Sequence, residues 1–261
     1  MLQGFERPPW WAVALMAVCT LFLAIGLPVA IDRGRVDPAE RTAAGSPSEA
    51  SPRATTSAPG TAAESGETNE ERVRIAVLGD AYTAGSAMDS GEESRWPALL
   101  SEQFPWDVTS YAVGGTGFAA GREQAQSFAD RVPEIVAARP EVVVVAGGHD
   151  DVNAPVAQVQ DGVRRTLGEL RAALPDARVL VVGVFWPGRK PAGVFAVNRA
   201  LQTTSAEVGA TFVDALNEGW LEGADPALVG PDGTYPTDAG HAALAQRIGS
   251  ALVAAGVSTQ L

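Results

Sequence analysis

The sequence predicts a three-layer α/β/α sandwich around a mostly parallel five-stranded sheet. Near-continuous apolar runs at Glu141–Gly148 (EVVVVAGG) and Arg178–Phe185 (RVLVVGVF) fit strands covered on both faces, as in a parallel sheet. From Arg72 onward, strand-like and helix-like segments alternate with short connections, the pattern of a doubly wound fold. The segments that follow the strands are rich in glycine and small polar residues, where open α/β sheets build their sites.

The expected strands are Arg74–Asp80, Asp107–Val113, Glu141–Gly148, Arg178–Phe185 and Thr211–Asp214. Between them, Trp96–Phe104 forms a short helix and Glu123–Arg139 a longer one that ends before Pro140. Val156–Leu174 repeats Val159, Val163, Leu167, Leu170 and Leu174 at spacings of three and four, and Pro175 stops it. Val194–Val208 and Asp238–Ala254 complete the set, with Thr237 as N-cap of the last helix. Right-handed crossovers bring all the strand carboxyl ends to one rim. There the loops Gly79–Ser86, Gly114–Gly121, Gly147–Asn153 and Trp186–Pro191 converge, and Gly230–His241 closes over them.

The chain has 261 residues and a net charge of −12, which disfavours a surface that tracks phosphates and excludes nucleic acid as the expected partner. Its one cysteine, Cys19, permits no intrachain disulfide. Residues 1–9 read as an N-terminal tail and residues 10–31 as a transmembrane helix or signal anchor, uncharged and led by the interfacial pair Trp10-Trp11. Residues 32–71, rich in Ala, Ser, Thr, Pro and Glu, cannot bury enough surface to offset their ordering entropy and read as a disordered linker. Residues 72–261 form the folded domain. Arg33, Arg35 and Arg41 against Arg7 would place that domain in the cytoplasm by charge counting alone. A tether followed by a polar spacer instead suits a single-pass membrane protein with an extracytoplasmic domain, and that is the expected arrangement.

The stretch Arg74–Ser86, RIAVLGDAYTAGS, organises the domain. A strand breaks at Gly79-Asp80, and Ala81 stands where such a turn would carry its reactive group. Further on come Ala112-Val113-Gly114-Gly115-Thr116-Gly117-Phe118, Gly147-Gly148-His149-Asp150-Asp151 and Asp232-Gly233-Thr234-Tyr235-Pro236-Thr237, the last followed by Ala239-Gly240-His241. On these residues the chain from Arg72 to Leu261 resembles the SGNH (GDSL-type) hydrolases. The resemblance implies a flavodoxin-like fold and ester hydrolysis. It carries the nucleophile position onto Ala81, an oxyanion-hole glycine onto Gly115 with Gly114 beside it, the oxyanion asparagine position onto Asp150, the triad aspartate onto Asp232 and the general-base position onto Tyr235.

The chemistry departs from that family. Alanine has no Oγ to form an acyl-enzyme. Tyrosine, with a reference pKa of about 10, stays protonated at neutral pH and cannot replace histidine as a base. Loss of one oxyanion donor typically costs roughly 2.7–4 kcal/mol of transition-state stabilisation. An ionised Asp150 would add repulsion of roughly 4 kcal/mol at about 4 Å. A protonated Asp150 could donate a hydrogen bond, but nucleophile and base would still be missing.

Asp80, Tyr82, Gly114, His149 and Trp186 are the ligand-binding candidates, with tyrosine and tryptophan as stacking faces and carboxylates as partners for sugar hydroxyls. No recognised metal-ligand spacing is present and no cofactor is expected. Asp151 is expected to turn inward onto backbone amides and His241 to be structural. The sequence thus reads as a catalytically silent pseudo-hydrolase that binds a cell-envelope glycan, an acylated ligand or a protein partner. The alternative is an active esterase, acyltransferase or glycan-directed hydrolase with rearranged residues. That alternative requires His149 within hydrogen-bond reach of Thr83 or Ser86, whereas binding requires Trp186 or Tyr235 to be partly exposed. A pure scaffold would instead show a filled crevice and an apolar patch elsewhere.

Overall fold

One parallel sheet with strand order β2-β1-β3-β4-β5 forms the centre of the domain. The strands are β1 Val73–Gly79, β2 Trp106–Ser110, β3 Val142–Ala146, β4 Arg178–Val182 and β5 Thr211–Val213. The structure is a computed structural model and describes residues 72–119, 127–222 and 227–260. The expected tail, membrane anchor and linker lie outside the described residues. Among the described residues, no helix is long and apolar enough to cross a membrane.

Both sheet faces are apolar because alternate residues of the central strands serve opposite layers. Ala76, Leu78, Val143, Val145, Val179 and Val181 pack into one core. That core receives Val132 and Ile135 from helix α3 (Phe128–Ala138), Val159 and Val163 from α4 (Val156–Ala173), and Val194 and Leu201 from α5 (Ala192–Glu207). On the other face, Ile75, Val77, Val142, Val144, Leu180 and Val182 meet Trp96 and Leu100 of α2 (Trp96–Gln103) and Leu244, Ile248 and Leu252 of α6 (Asp238–Ala254). The register pairs Gly79 with Ala146 and Ala146 with Val182, so β1, β3 and β4 end side by side at one rim.

The expected strands and long helices are all present, and α6 has the expected bounds. Strand ends are shorter than expected because residues such as Gly147 and Gly148 already belong to loops. Helix α3 starts at Phe128, where the Ser127 amide and Oγ both donate to Asp130 Oδ2 at 3.0 and 2.7 Å. Residues 123–126 of its expected span lie outside the described residues. Two short elements were not foreseen: helix α1 (Ala81–Ala84) and a 3₁₀ turn at Glu92–Ser94.

Candidate functional site

Position 81 opens helix α1 at the carboxyl end of β1 and is 8% exposed. Asp80 caps that helix, its Oδ1 accepting from Tyr82 N at 3.0 Å. Its Oδ2 accepts from Gly148 N at 3.1 Å and His149 N at 3.3 Å, so one carboxylate ties the first loop to the third. Gly147 makes that approach feasible, since a Cβ there would fall 2.5 Å from Phe128 Cζ and 3.0 Å from Asp80 Oδ2. Burial, with the charge of Asp150 adding to it, pushes the Asp80 carboxyl up to about 7 against the pull of its amide donors. Asp80 was expected to face a ligand. Its position is a correction: it is 1% exposed and fastens loops together.

The second loop is clamped from inside. Asp151, fully buried, accepts from Phe118 N and Ala119 N at 2.8 Å each, the inward turn expected of it. Arg131 of α3 donates to Gly79 O at 3.2 Å, to Tyr111 O, and to Thr116 Oγ1 at 2.7 Å. It was missed in the sequence because a single arginine on an amphipathic helix looks like a solvated residue. Between these clamps Gly114 is brought against position 81, where its Cβ would sit 3.6 Å from the Ala81 methyl. Gly115, the glycine first assigned there, holds φ +77° one residue further along.

Aromatic rings gather beside Ala81. His149 stacks on Trp186 with ring centroids 4.6 Å apart and an interplanar angle of 24°. Tyr82 lies 5.1 Å from His149, 5.5 Å from Tyr235 and 5.7 Å from Phe185. Tyr82 is fully buried and its hydroxyl donates to Thr234 O at 2.8 Å. Its assignment as a ligand face is therefore also corrected: it is the hub of the cluster. Trp186 and Tyr235 are half-buried, with Trp186 Nε1 donating to Arg189 O at 3.0 Å. Lys190, beside it, is paired with Glu222.

His149 is held below the usual imidazole range by burial, opposed by the charge of Asp150. Its Nδ1 is buried and takes no hydrogen bond among the described residues, and neither does Thr83 Oγ1. Ser86 Oγ accepts from Met88 N at 3.1 Å within its own loop. The relocated histidine–hydroxyl pair is thus not formed. Asp232 is exposed and its Oδ1 accepts from Thr234 N at 2.9 Å and Tyr235 N at 3.1 Å, a local turn that presents the tyrosine. His241 is fully buried, 3.7 Å from Asp89 Oδ2, in the structural position expected. Among the described residues no group of His, Cys, Asp and Glu is arranged to hold a metal.

The GDSL-like Lipase/Acylhydrolase family profile matches residues 77–243, from β1 through the segment containing Asp232 and Tyr235 into α6. The chain belongs to this family. It is 28% identical over 183 residues to a GDSL lipase of Mycobacterium tuberculosis, covering 67% of this chain and 79% of that protein. Its fold is similar to that of TesA, with a TM-score of 0.58, 23% identity, and coverage of 69% of this chain and 97% of that one. A lipase/acylhydrolase from Enterococcus faecalis gives a TM-score of 0.59 at 14% identity, covering 72% of this chain and 99% of that one. The matched span includes Ala81, Asp150 and Tyr235.

Proposed function

We propose that this GDSL-fold protein binds a cell-envelope glycan or acylated ligand at the rim and does not hydrolyse it. One observation carries the proposal: the position that would supply the nucleophile is a methyl group packed beside Gly114, and among the described residues no hydroxyl–imidazole pair is formed to replace it. The half-buried Trp186 ring, stacked on a neutral His149, is a flat apolar face of the kind that sugar rings and acyl chains cover. The proposal includes tethering through residues 10–31, with the domain outside the cytoplasm and residues 32–71 as a spacer.

The test is a titration of the full-length protein with N-acetylated glucosamine oligosaccharides and, separately, a short acyl ester, monitored by isothermal titration calorimetry. The reading predicts saturable binding of one of these probes that is lost in Trp186→Ala, with no ester turnover. Absence of binding, or binding unchanged in Trp186→Ala, would contradict it.

A further inference from the structure

Outside the rim cluster, a cavity of about 270 Å³ opens between α1, the 3₁₀ turn, α2 and the edge strand β2. Thr83 and Ala84 line one side, Pro97 and Ala98 another, and Val108, Ser110 and Ala112 a third. Glu92 and Arg95 complete it with opposite charges. Both hang from one turn, where Arg95 N donates to Glu92 O at 3.1 Å, yet their side chains form no ion pair with each other. Glu92 opens the 3₁₀ turn and Arg95 caps its end in extended conformation, and both line the same opening.

The arginine is held in place before any ligand arrives. Its Nε donates to the buried Asp89 carboxylate at 3.1 Å. Its guanidinium packs against Gly85, where a Cβ would fall 1.9 Å from Nε and 2.3 Å from Cζ. Gly85 sits at φ +89°, a conformation that suits glycine, so the backbone gives way to the guanidinium. The outer nitrogens of Arg95 have no protein partner among the described residues. A planar cation fixed in this way is suited to bidentate contact with a carboxylate.

We infer that this cavity binds a small zwitterion with an aliphatic body, its carboxylate on Arg95 and its ammonium on Glu92. A simple anion fits less well. Glu92 stands beside Arg95, and the whole chain carries a net charge of −12, so a net-neutral ligand avoids repulsion that a carboxylate alone would meet. The aliphatic body packs on Pro97, Ala98, Val108 and Ala112, and the exposed Ser110 hydroxyl offers a further hydrogen bond. The site is separate from the Trp186–His149 platform and does not depend on the function proposed for it.

Saturation-transfer NMR on the full-length protein with L-norvaline, butyrate and butylamine at equal concentration tests this inference. Norvaline binds most strongly, and binding persists in Trp186→Ala. Glu92→Gln weakens norvaline up to about fivefold, the scale of an exposed ion pair, and strengthens butyrate. Ala98→Trp fills the cavity and abolishes the norvaline signal. If that variant does not fold, Ser110→Trp on the exposed edge strand serves the same purpose. Butyrate binding as strong as norvaline, a norvaline signal that survives filling of the cavity, or no binding by norvaline would overturn the inference.

Discussion

Asp80 shows how one side chain can change meaning between sequence and structure. Next to Ala81 it looks ligand-facing, yet it accepts from three backbone amides and is buried. Nothing in the local sequence reveals this, because two of its donors lie on the loop after β3, far along the chain. Its carboxyl is raised from 3.8 to about 7 by burial and by Asp150. A raised folded-state value means that the native state holds a proton the unfolded chain has released. Its stabilising contribution is therefore complete below about pH 4 and is lost as pH rises through about 7. Chemical unfolding from pH 4 to 8 should show wild type exceeding Asp80→Asn by more at pH 4.5 than at pH 8. A gap that is constant or widens with pH would place the titration elsewhere. Asp151 offers the contrasting case: its inward turn was legible from the motif, and two amides at 2.8 Å hold it. Asp151→Ala leaves both buried donors unmatched and should cost roughly 2–4 kcal/mol in urea unfolding, at about 1–2 kcal/mol for each.

The elements were legible to the extent that burial marks them. Helices α4 and α6 and strands β3 and β4 announce themselves because their apolar positions recur at the helix period or run unbroken. Helix α1 did not, since four residues carry no periodicity and its start depends on the Asp80 cap. Of the aromatic cluster, the gathering of Tyr82, His149, Trp186 and Tyr235 at the rim was legible from the converging loops, whereas the ring contacts themselves, and the place of Phe185 among them, depend on packing that the sequence does not display. Helix α6 begins where Thr237 Oγ1 accepts from Gly240 N at 3.2 Å, directly after the segment that presents Tyr235. Thr237→Ala should lower stability by about 1 kcal/mol in chemical unfolding, and Thr237→Ser should restore most of it. Equal stability of all three proteins would mean that the cap contributes nothing.

At the scale of the whole molecule, the chain keeps the GDSL frame, with Ala81 after β1, Asp150 after β3 and Tyr235 before α6. Asp80, Asp151 and Arg131 hold the rim loops in register from within, through bonds to backbone amides and carbonyls. A rim held in this way can keep its shape while the reactive groups differ, and that is the central claim. Hydrolysis of short-chain p-nitrophenyl esters by the full-length protein tests it most directly. The native chain would be compared with Ala81→Ser and with the triple variant Ala81→Ser, Asp150→Asn, Tyr235→His. The account predicts no turnover by the native chain or the single variant, and measurable turnover by the triple variant. Native turnover that is lost in His149→Ala would contradict it, because the active site would then have moved rather than fallen silent.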